Sequence, residues 1–179
     1  RGGVALLGLG LVGFLLSWAY SAPPPALHSH GFGELVVAAG FGLMIPFGVD
    51  LVLRETPAVL PLVAGVSYAL LVSAILFINQ FPDLEADRQA GKWHWVVRLG
   101  PRRARWMYLA LVLVAYASLV VGVVAGQLPA WTLLALLPFP ASLGAAVILI
   151  RNADTPATLV SAIRLTLTAA MAHGLLVPL

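Results

Sequence analysis

Long apolar segments alternate with short polar segments along the chain, and each apolar segment is about as long as a membrane-spanning helix. A helix needs about 20 mostly apolar residues to cross a hydrocarbon core of about 30 Å. Six segments meet this requirement, with only isolated charges inside them. The pattern predicts spans at about residues 3–20, 34–53, 56–78, 106–128, 129–150 and 155–177, with a polar loop at residues 79–105.

The apolar segments show none of the ten-residue alternation that is typical of transmembrane β-strands. Within lipid, backbone polar groups are satisfied only inside helices or closed barrels. The pattern therefore predicts an all-α fold, a polytopic transmembrane helix bundle in which residues 1–179 form a single domain.

The first apolar segment has a second interpretation, as a signal peptide that ends near Ala19-Tyr20-Ser21. One arginine is a poor positively charged region, and the apolar run is long for a signal peptide. We therefore interpret this segment as a span.

Composition excludes several protein classes. The 179 residues are 61% hydrophobic and 9% charged, with a mean hydropathy of +0.99 and no cysteine. Soluble domains have about 25% charged residues. These values exclude an ordinary soluble enzyme, a disulfide scaffold and a disordered chain, and they give no reason to expect a nucleic-acid partner.

The net charge is only +3, but the cations are unevenly distributed between the two sides of the predicted bundle. One side has Arg1 and Arg54. The opposite side has seven cations, which indicates that it is cytoplasmic, and we expect the bilayer to be a bacterial inner or plasma membrane. The seven are Arg88, Lys92, Arg98, Arg102, Arg103, Arg105 and Arg151.

Ionisable residues concentrate in the loop that follows the third span. If this segment is helical, Asn79, Asp83 and Asp87 lie at positions i, i+4 and i+8 on one face. Two carboxylates one turn apart are able to share Mg²⁺, which takes one or two carboxylates and completes its shell with water and phosphate oxygens. The alternative is a solvated juxtamembrane loop without a ligand.

Two segments resemble the UbiA superfamily of intramembrane aromatic prenyltransferases. The first is similar to the second aspartate-rich motif of that family and its continuation, and the other is similar to the tyrosine-containing cytoplasmic loop. They read Asn79-x-x-x-Asp83-x-Glu85-x-Asp87-Arg88-x-x-Gly91-Lys92 with Val97-Arg98-Leu99-Gly100, and Tyr20-Ser21-Ala22-Pro23-Pro24 with Gly31-Phe32-Gly33-Glu34-Leu35.

The resemblance implies a nine-helix fold of which these six spans are helices four to nine. The first aspartate-rich motif of the family is absent, so we expect the chain to be an incomplete form of a longer enzyme; a degenerate, non-catalytic relative is the alternative. The motif forms look most like the branch that prenylates 1,4-dihydroxy-2-naphthoate in menaquinone biosynthesis.

The resemblance also implies a reaction and roles for seven residues. A Mg²⁺-dependent enzyme transfers a polyprenyl group from polyprenyl diphosphate to an aromatic acceptor similar to dihydroxynaphthoate. Asp83 and Asp87 are then the catalytic metal ligands. Arg88, Lys92 and Arg98 contact the diphosphate, and Asn79 and Tyr20 contact substrate.

The four histidines receive structural interpretations and are not assigned to the site. We expect His28 and His30 to be solvated, with contact to substrate as the alternative. We expect His94 to lie at the membrane interface and His173 to pack between helices. A non-enzymatic membrane protein, such as a transporter half or an assembly subunit, is the alternative function for the whole chain.

Overall fold

A computed structural model describes residues 2–54, 56 and 58–177, and this part of the chain contains helices and no strand. It has nine α-helices: α1 (Gly2–Ser21), α2 (Gly33–Val37), α3 (Ile45–Arg54), α4 (Leu60–Asn79), α5 (Leu84–Gln89), α6 (Trp95–Leu99), α7 (Pro101–Val124), α8 (Phe139–Asn152) and α9 (Val160–Leu176). The predicted all-α polytopic bundle is confirmed.

Two irregular segments extend the spanning helices. The π-helical segment Ala38–Met44 joins α2 and α3 into one apolar helix, Gly33–Arg54, and the 3₁₀ segment Ala130–Leu136 precedes α8. Short 3₁₀ turns, Leu27–His30 and Pro156–Thr158, lie in loops.

Five helical segments within the described residues are long and apolar enough to cross a membrane, and α9 is a shorter apolar helix. They fall on the six predicted spans with shifted ends. The clearest shift is in α7, which begins at Pro101 and not near residue 106. Proline suits the first turn of a helix because its missing N–H has no intrahelical partner there.

Helix α4 lies at the centre of the bundle and packs against α7, α9 and the π-helical segment, while α8 packs against α7 and α9. The main core gathers large side chains near the loop end of these helices, including Phe77, Ile78, Phe81, Tyr108 and Leu149. Many other large apolar side chains are exposed on the outside of the bundle, as suits contact with lipid.

Hydrogen bonds between polar side chains join the packed helices. Tyr108 Oη lies 2.6 Å from Thr166 Oγ1, and Tyr116 Oη lies 3.0 Å from Ser142 Oγ. His173, which is fully buried, contacts Ser67 Oγ at 2.9 Å and the Ala135 carbonyl at 2.8 Å. The helix-packing interpretation of His173 agrees with these contacts.

Candidate active site

A small polar pocket of about 150 Å³ lies at the loop end of the bundle, where α1 and α4 end. Two loops close it: the first loop, residues 22–32, and the second loop, residues 80–100. Five of the seven predicted site residues line this pocket. The complete lining is Tyr20, His28, Leu76, Asn79, Gln80, Asp83, Asp87, Lys92 and His94.

The acidic wall is built by a helix end, a turn and a short helix. Asn79 is the last residue of α4, Asp83 is the N-cap of α5 and Asp87 lies within α5. The chain is therefore not one continuous helix as the i, i+4, i+8 spacing assumed, because residues 80–83 form a turn. The turn nevertheless leaves all three side chains on the same pocket.

Asp87 is held by two donors from the same loop. Lys92 Nζ donates to Oδ1 at 2.6 Å, and His94 Nε2 lies 3.0 Å from Oδ2. Burial acts to raise the pKa of Asp87, but the hydrogen bonds and charges of Lys92 and His94 outweigh it and hold the pKa below its usual value of 3.8. Asp87 is therefore a carboxylate at neutral pH.

The expected position of His94 at the membrane interface stays a prediction, but its side chain turns into the protein. This side chain is buried, with 2% exposed, and its Nε2 contacts Asp87, while its Nδ1 has no hydrogen-bond partner among the described residues. The sequence does contain a signal for this placement, since Trp95 and Val96 follow directly and continue into the buried segment.

The opposite wall comes from the end of α1 and the first loop. The ring of His28 packs against that of Tyr20, with centroids 5.4 Å apart, and His28 Nδ1 donates to the Tyr20 carbonyl at 2.7 Å. His28 is thus engaged with the pocket wall and not simply solvated as expected, whereas His30 is exposed.

Arg88 and Arg98 lie outside the lining of this pocket. Arg88 is exposed and approaches Glu85 Oε2 at 3.6 Å. Arg98 donates to two backbone carbonyls, those of Trp93 at 2.6 Å and His30 at 2.9 Å. Their predicted contact with a diphosphate stays a prediction.

A buried carboxylate behind the pocket was not assigned a role from the sequence. Glu34 Oε1 accepts a hydrogen bond from Gln80 Nε2 at 2.7 Å, and the Glu34 backbone carbonyl accepts one from Ser73 Oγ at 2.8 Å. The remaining side-chain oxygens, Glu34 Oε2 and Gln80 Oε1, are buried and find no partner in the part of the chain that the structure describes. The pair joins α2 to the end of α4 directly behind Asn79.

A large apolar groove of about 680 Å³ adjoins the polar pocket. It runs between α1 and the helix Gly33–Arg54, and Tyr20 lines both the groove and the pocket. Its other lining side chains are almost all apolar and include Leu9, Leu16, Val36, Phe41 and Met44.

The donor set of the pocket fits only part of a metal site. Among the described residues, no group of three or more His, Cys, Asp or Glu side chains is placed to hold a metal. Asp83 and Asp87 are two carboxylates in one pocket, which is the number that Mg²⁺ commonly takes from a protein when phosphate supplies further oxygens.

Comparison with known proteins places these features in one family. The model of the UbiA prenyltransferase family matches residues 2–169. A 1,4-dihydroxy-2-naphthoate octaprenyltransferase of Mycobacterium leprae is 31% identical over 72% of this chain and 43% of its own length. A 2-carboxy-1,4-naphthoquinone phytyltransferase of Synechocystis is 31% identical over 72% of this chain and 42% of its own length.

A UbiA prenyltransferase domain-containing protein of Dictyostelium discoideum is 30% identical over 64% of this chain and 34% of its own length. The chain thus spans less than half of the length of these three relatives. No solved structure matches it at a significant level.

Proposed function

Because the chain belongs to the UbiA prenyltransferase family, we propose that it forms one part of the site of an enzyme that transfers a polyprenyl group to an aromatic ring. The carbon–oxygen bond between the prenyl group and its diphosphate breaks, and a carbon–carbon bond to the ring forms. Diphosphate leaves, and an acceptor with a ring carboxylate at that carbon loses it as carbon dioxide.

The observation that supports this proposal best is the position of Tyr20 at the junction of two unlike spaces. The polar pocket of about 150 Å³ and the apolar groove of about 680 Å³ both contact its side chain. A polyprenyl diphosphate has the same division, with a charged head and a long hydrocarbon tail. Such a substrate would place its reactive carbon near Tyr20, with the head beside Asp83, Asp87 and Lys92.

The head of the substrate requires cations, and we assign Lys92 as the protein cation that meets it. The Lys92 ammonium lies in the pocket, 2.6 Å from Asp87 Oδ1. Asp83 and Asp87 would hold Mg²⁺, which when bound neutralises diphosphate charge and stabilises it as a leaving group. His94 fixes the second oxygen of Asp87 at 3.0 Å, so both donors orient that carboxylate.

The acceptor is proposed to be an aromatic acid similar to 1,4-dihydroxy-2-naphthoate. Two relatives with 31% identity have names that specify naphthoate or naphthoquinone substrates. The Tyr20 and His28 rings, 5.4 Å apart, offer an aromatic wall against which a flat ring would stack, and Asn79 lies across the same pocket.

The proposed location is a bacterial inner or plasma membrane, with the pocket on its cytoplasmic side. Seven of the ten cations of the chain lie on the loop side of the bundle. An excess of lysine and arginine in short loops is typical of the cytoplasmic side of a membrane protein.

The test is prenyl transfer by the full-length protein in detergent or vesicles, supplied with a polyprenyl diphosphate, dihydroxynaphthoate and Mg²⁺. We expect a prenylated product by mass spectrometry, and none after chelation. Asp83→Asn and Asp87→Asn should each lower kcat at least about 100-fold, because each removes charge that acts on the leaving group.

Glu85→Gln is the matched control, because Glu85 lies in the same short helix but outside the pocket lining and contacts Arg88 and Gln89. It should retain activity. Full activity in both aspartate variants would overturn the metal assignment. Absence of any product from the wild-type protein would favour a non-enzymatic role.

A further inference from the structure

Three successive backbone carbonyls of the first loop each accept a hydrogen bond from the second loop. The Trp93 amide donates to the Ser29 carbonyl at 2.6 Å. Arg98 Nη2 donates to the His30 carbonyl at 2.9 Å, and Trp95 Nε1 donates to the Gly31 carbonyl at 2.8 Å. We call these three bonds the carbonyl clamp.

Arg98 donates hydrogen bonds to both loops of the clamp. Its Nε donates to the Trp93 carbonyl at 2.6 Å within the second loop, while its Nη2 reaches His30 in the first loop. Its guanidinium also lies over the Trp95 ring, 5.4 Å from the centroid. Only a planar side chain with several fixed N–H groups makes these contacts together, and lysine lacks that geometry.

The carbonyl that accepts from Trp95 belongs to a glycine in a left-handed turn. Gly31 has φ +78°, in the left-handed region, and a Cβ there would lie 3.4 Å from Trp95 Nε1. That distance is an ordinary van der Waals contact, so glycine suits this position through its backbone, which adopts a positive φ without steric cost.

The clamp joins the two walls of the pocket. On the first loop, His28 precedes the three acceptor carbonyls and is hydrogen bonded to the Tyr20 carbonyl at 2.7 Å. On the second loop, Lys92 and His94 flank Trp93, and both contact Asp87. The bonds therefore run between the wall that we assign to the acceptor and the wall that we assign to the diphosphate.

We propose that Arg98 is a positioning residue that, with Trp95, holds the Tyr20–His28 wall at a fixed distance from the Asp87–Lys92 wall. It acts through the backbone of the first loop, and this role replaces the diphosphate contact that the family resemblance implies for Arg98. The kinetic part of this inference rests on the proposed prenyl transfer, whereas the structural part does not.

The first experiment needs no substrate and measures hydrogen exchange of the full-length protein by mass spectrometry. Arg98→Lys should raise amide exchange about tenfold in peptides covering residues 26–32 and 93–95 together, because hydrogen bonds from the guanidinium to both segments are lost. Trp95→Phe should act in the same direction. If Arg98 only bound the diphosphate and did not hold the two loops together, its substitution would leave amide exchange in the free protein unchanged. That result would overturn the proposal.

Arg103→Lys and Trp93→Phe are the matched controls. Arg103 is exposed on α7, and the Trp93 side chain is exposed while its contribution to the clamp is a backbone amide. Exchange in the two loops should match that of the wild type in both variants. A rise equal to that of Arg98→Lys would mean that the loops respond to any change, which contradicts a specific clamp.

The second experiment separates positioning from general damage by steady-state kinetics. Arg98→Lys should raise KM for the aromatic acceptor about tenfold while changing KM for the diphosphate substrate less than twofold. If Arg98 bound the diphosphate, its substitution would instead raise KM for the diphosphate substrate and leave KM for the acceptor nearly unchanged. That result would overturn the proposal. If the wild type transfers no prenyl group, the proposed function fails and the exchange result still decides the clamp.

Discussion

Asp87 and its two donors show how a short sequence interval builds a preorganised carboxylate. Lys92 and His94 lie five and seven residues after Asp87, and each binds a different carboxylate oxygen. Because α5 ends at Gln89, the chain turns back after it and brings these later side chains onto Asp87. The carboxylate orientation is therefore fixed before any ligand arrives.

The depressed pKa of Asp87 predicts a pH-dependent contribution to stability. Burial opposes the shift, but the hydrogen bonds from Lys92 and His94 make the folded pKa lower than the usual 3.8. A depressed carboxylate pKa stabilises the folded state above the usual value, and this stabilisation is lost as pH falls through the folded pKa. We expect Asp87→Asn to lower Tm by about 2–4 °C at pH 6 and by less as the pH falls below 3.8.

Thermal unfolding of the metal-free protein between pH 3 and pH 7 measures this difference. Glu85→Gln removes an exposed carboxylate from the same helix and serves as the control for loss of charge. If the Tm of Asp87→Asn stayed below that of the wild type by a constant amount down to pH 3, the expectation would be contradicted.

At the residue scale, the sequence identified the ionisable residues of the pocket but not all of their neighbours. Asn79 lines the pocket from the end of α4, Asp83, Asp87 and Lys92 line it from the loop that follows, and Tyr20 joins them from an earlier helix. The contact of His94 with Asp87 was missed because the local sequence shows that His94 is near tryptophans, not which atom its ring contacts. Hydrogen bonds to partners several residues away depend on the turn, which periodicity does not specify.

At the scale of elements, α4 and the π-helical segment Ala38–Met44 approach each other closely at two glycines. A Cβ placed on Gly42 would overlap the backbone of Ala69, and one on Gly65 would overlap the Gly42 carbonyl oxygen. Small residues that let backbones approach closely are typical of helix contacts in membranes, where dispersion forces replace the hydrophobic effect. This contact fixes the helix that forms one side of the apolar groove.

We therefore expect Gly42→Ala to lower Tm by several degrees, because an added methyl at this contact forces the helices apart at a cost of about 1–3 kcal/mol. Gly40→Ala is the matched control, since a Cβ at Gly40 would meet nothing within 4 Å. Alanine at position 40 should leave Tm unchanged or slightly raised, as alanine favours helix over glycine. Equal destabilisation by both substitutions, measured by thermal unfolding in detergent, would contradict the close-contact explanation.

The helices themselves could be read from the sequence more reliably than their ends. The length of each apolar segment located the spanning helices, because a helix needs about 20 mostly apolar residues to cross the hydrocarbon core. The breaks at Ala38–Met44 and Ala130–Leu136 left no trace in that pattern, because π, 3₁₀ and α segments of apolar residues have the same hydropathy. Helix α7 begins early because Gly100 caps it and Pro101 occupies its first turn. The sequence pattern assigned these residues to the loop because cations surround them.

At the scale of the whole molecule, the bundle has two dissimilar ends. The loop end has the polar pocket, the carbonyl clamp and most of the cations, whereas the turn that follows α7 at Gly126 and Gln127 has none. The orientation inferred from these cations is open to direct measurement, because the 179 residues contain no cysteine.

Single cysteines at Gln89 and Gln127, both exposed, should react from opposite sides of the membrane. A membrane-impermeant maleimide added outside intact cells is expected to label Gln127→Cys strongly. Gln89→Cys should be labelled about as strongly only after the membrane is opened. Labelling of Gln89→Cys in intact cells would reverse the orientation and place the pocket on the outer face.

The π-helical segment has a consequence for how insertions and deletions act on this protein. The Ile45 amide bonds to the Gly40 carbonyl, five residues earlier, so the segment accommodates one residue more than an α-helix of the same pitch. Removing one residue between 38 and 44 would turn Ile45–Arg54 by about 100° relative to α2. Asp50, which is buried and bonded to Arg54 at 2.6 Å, would then rotate out of its place. Length is therefore as constrained as composition in this helix.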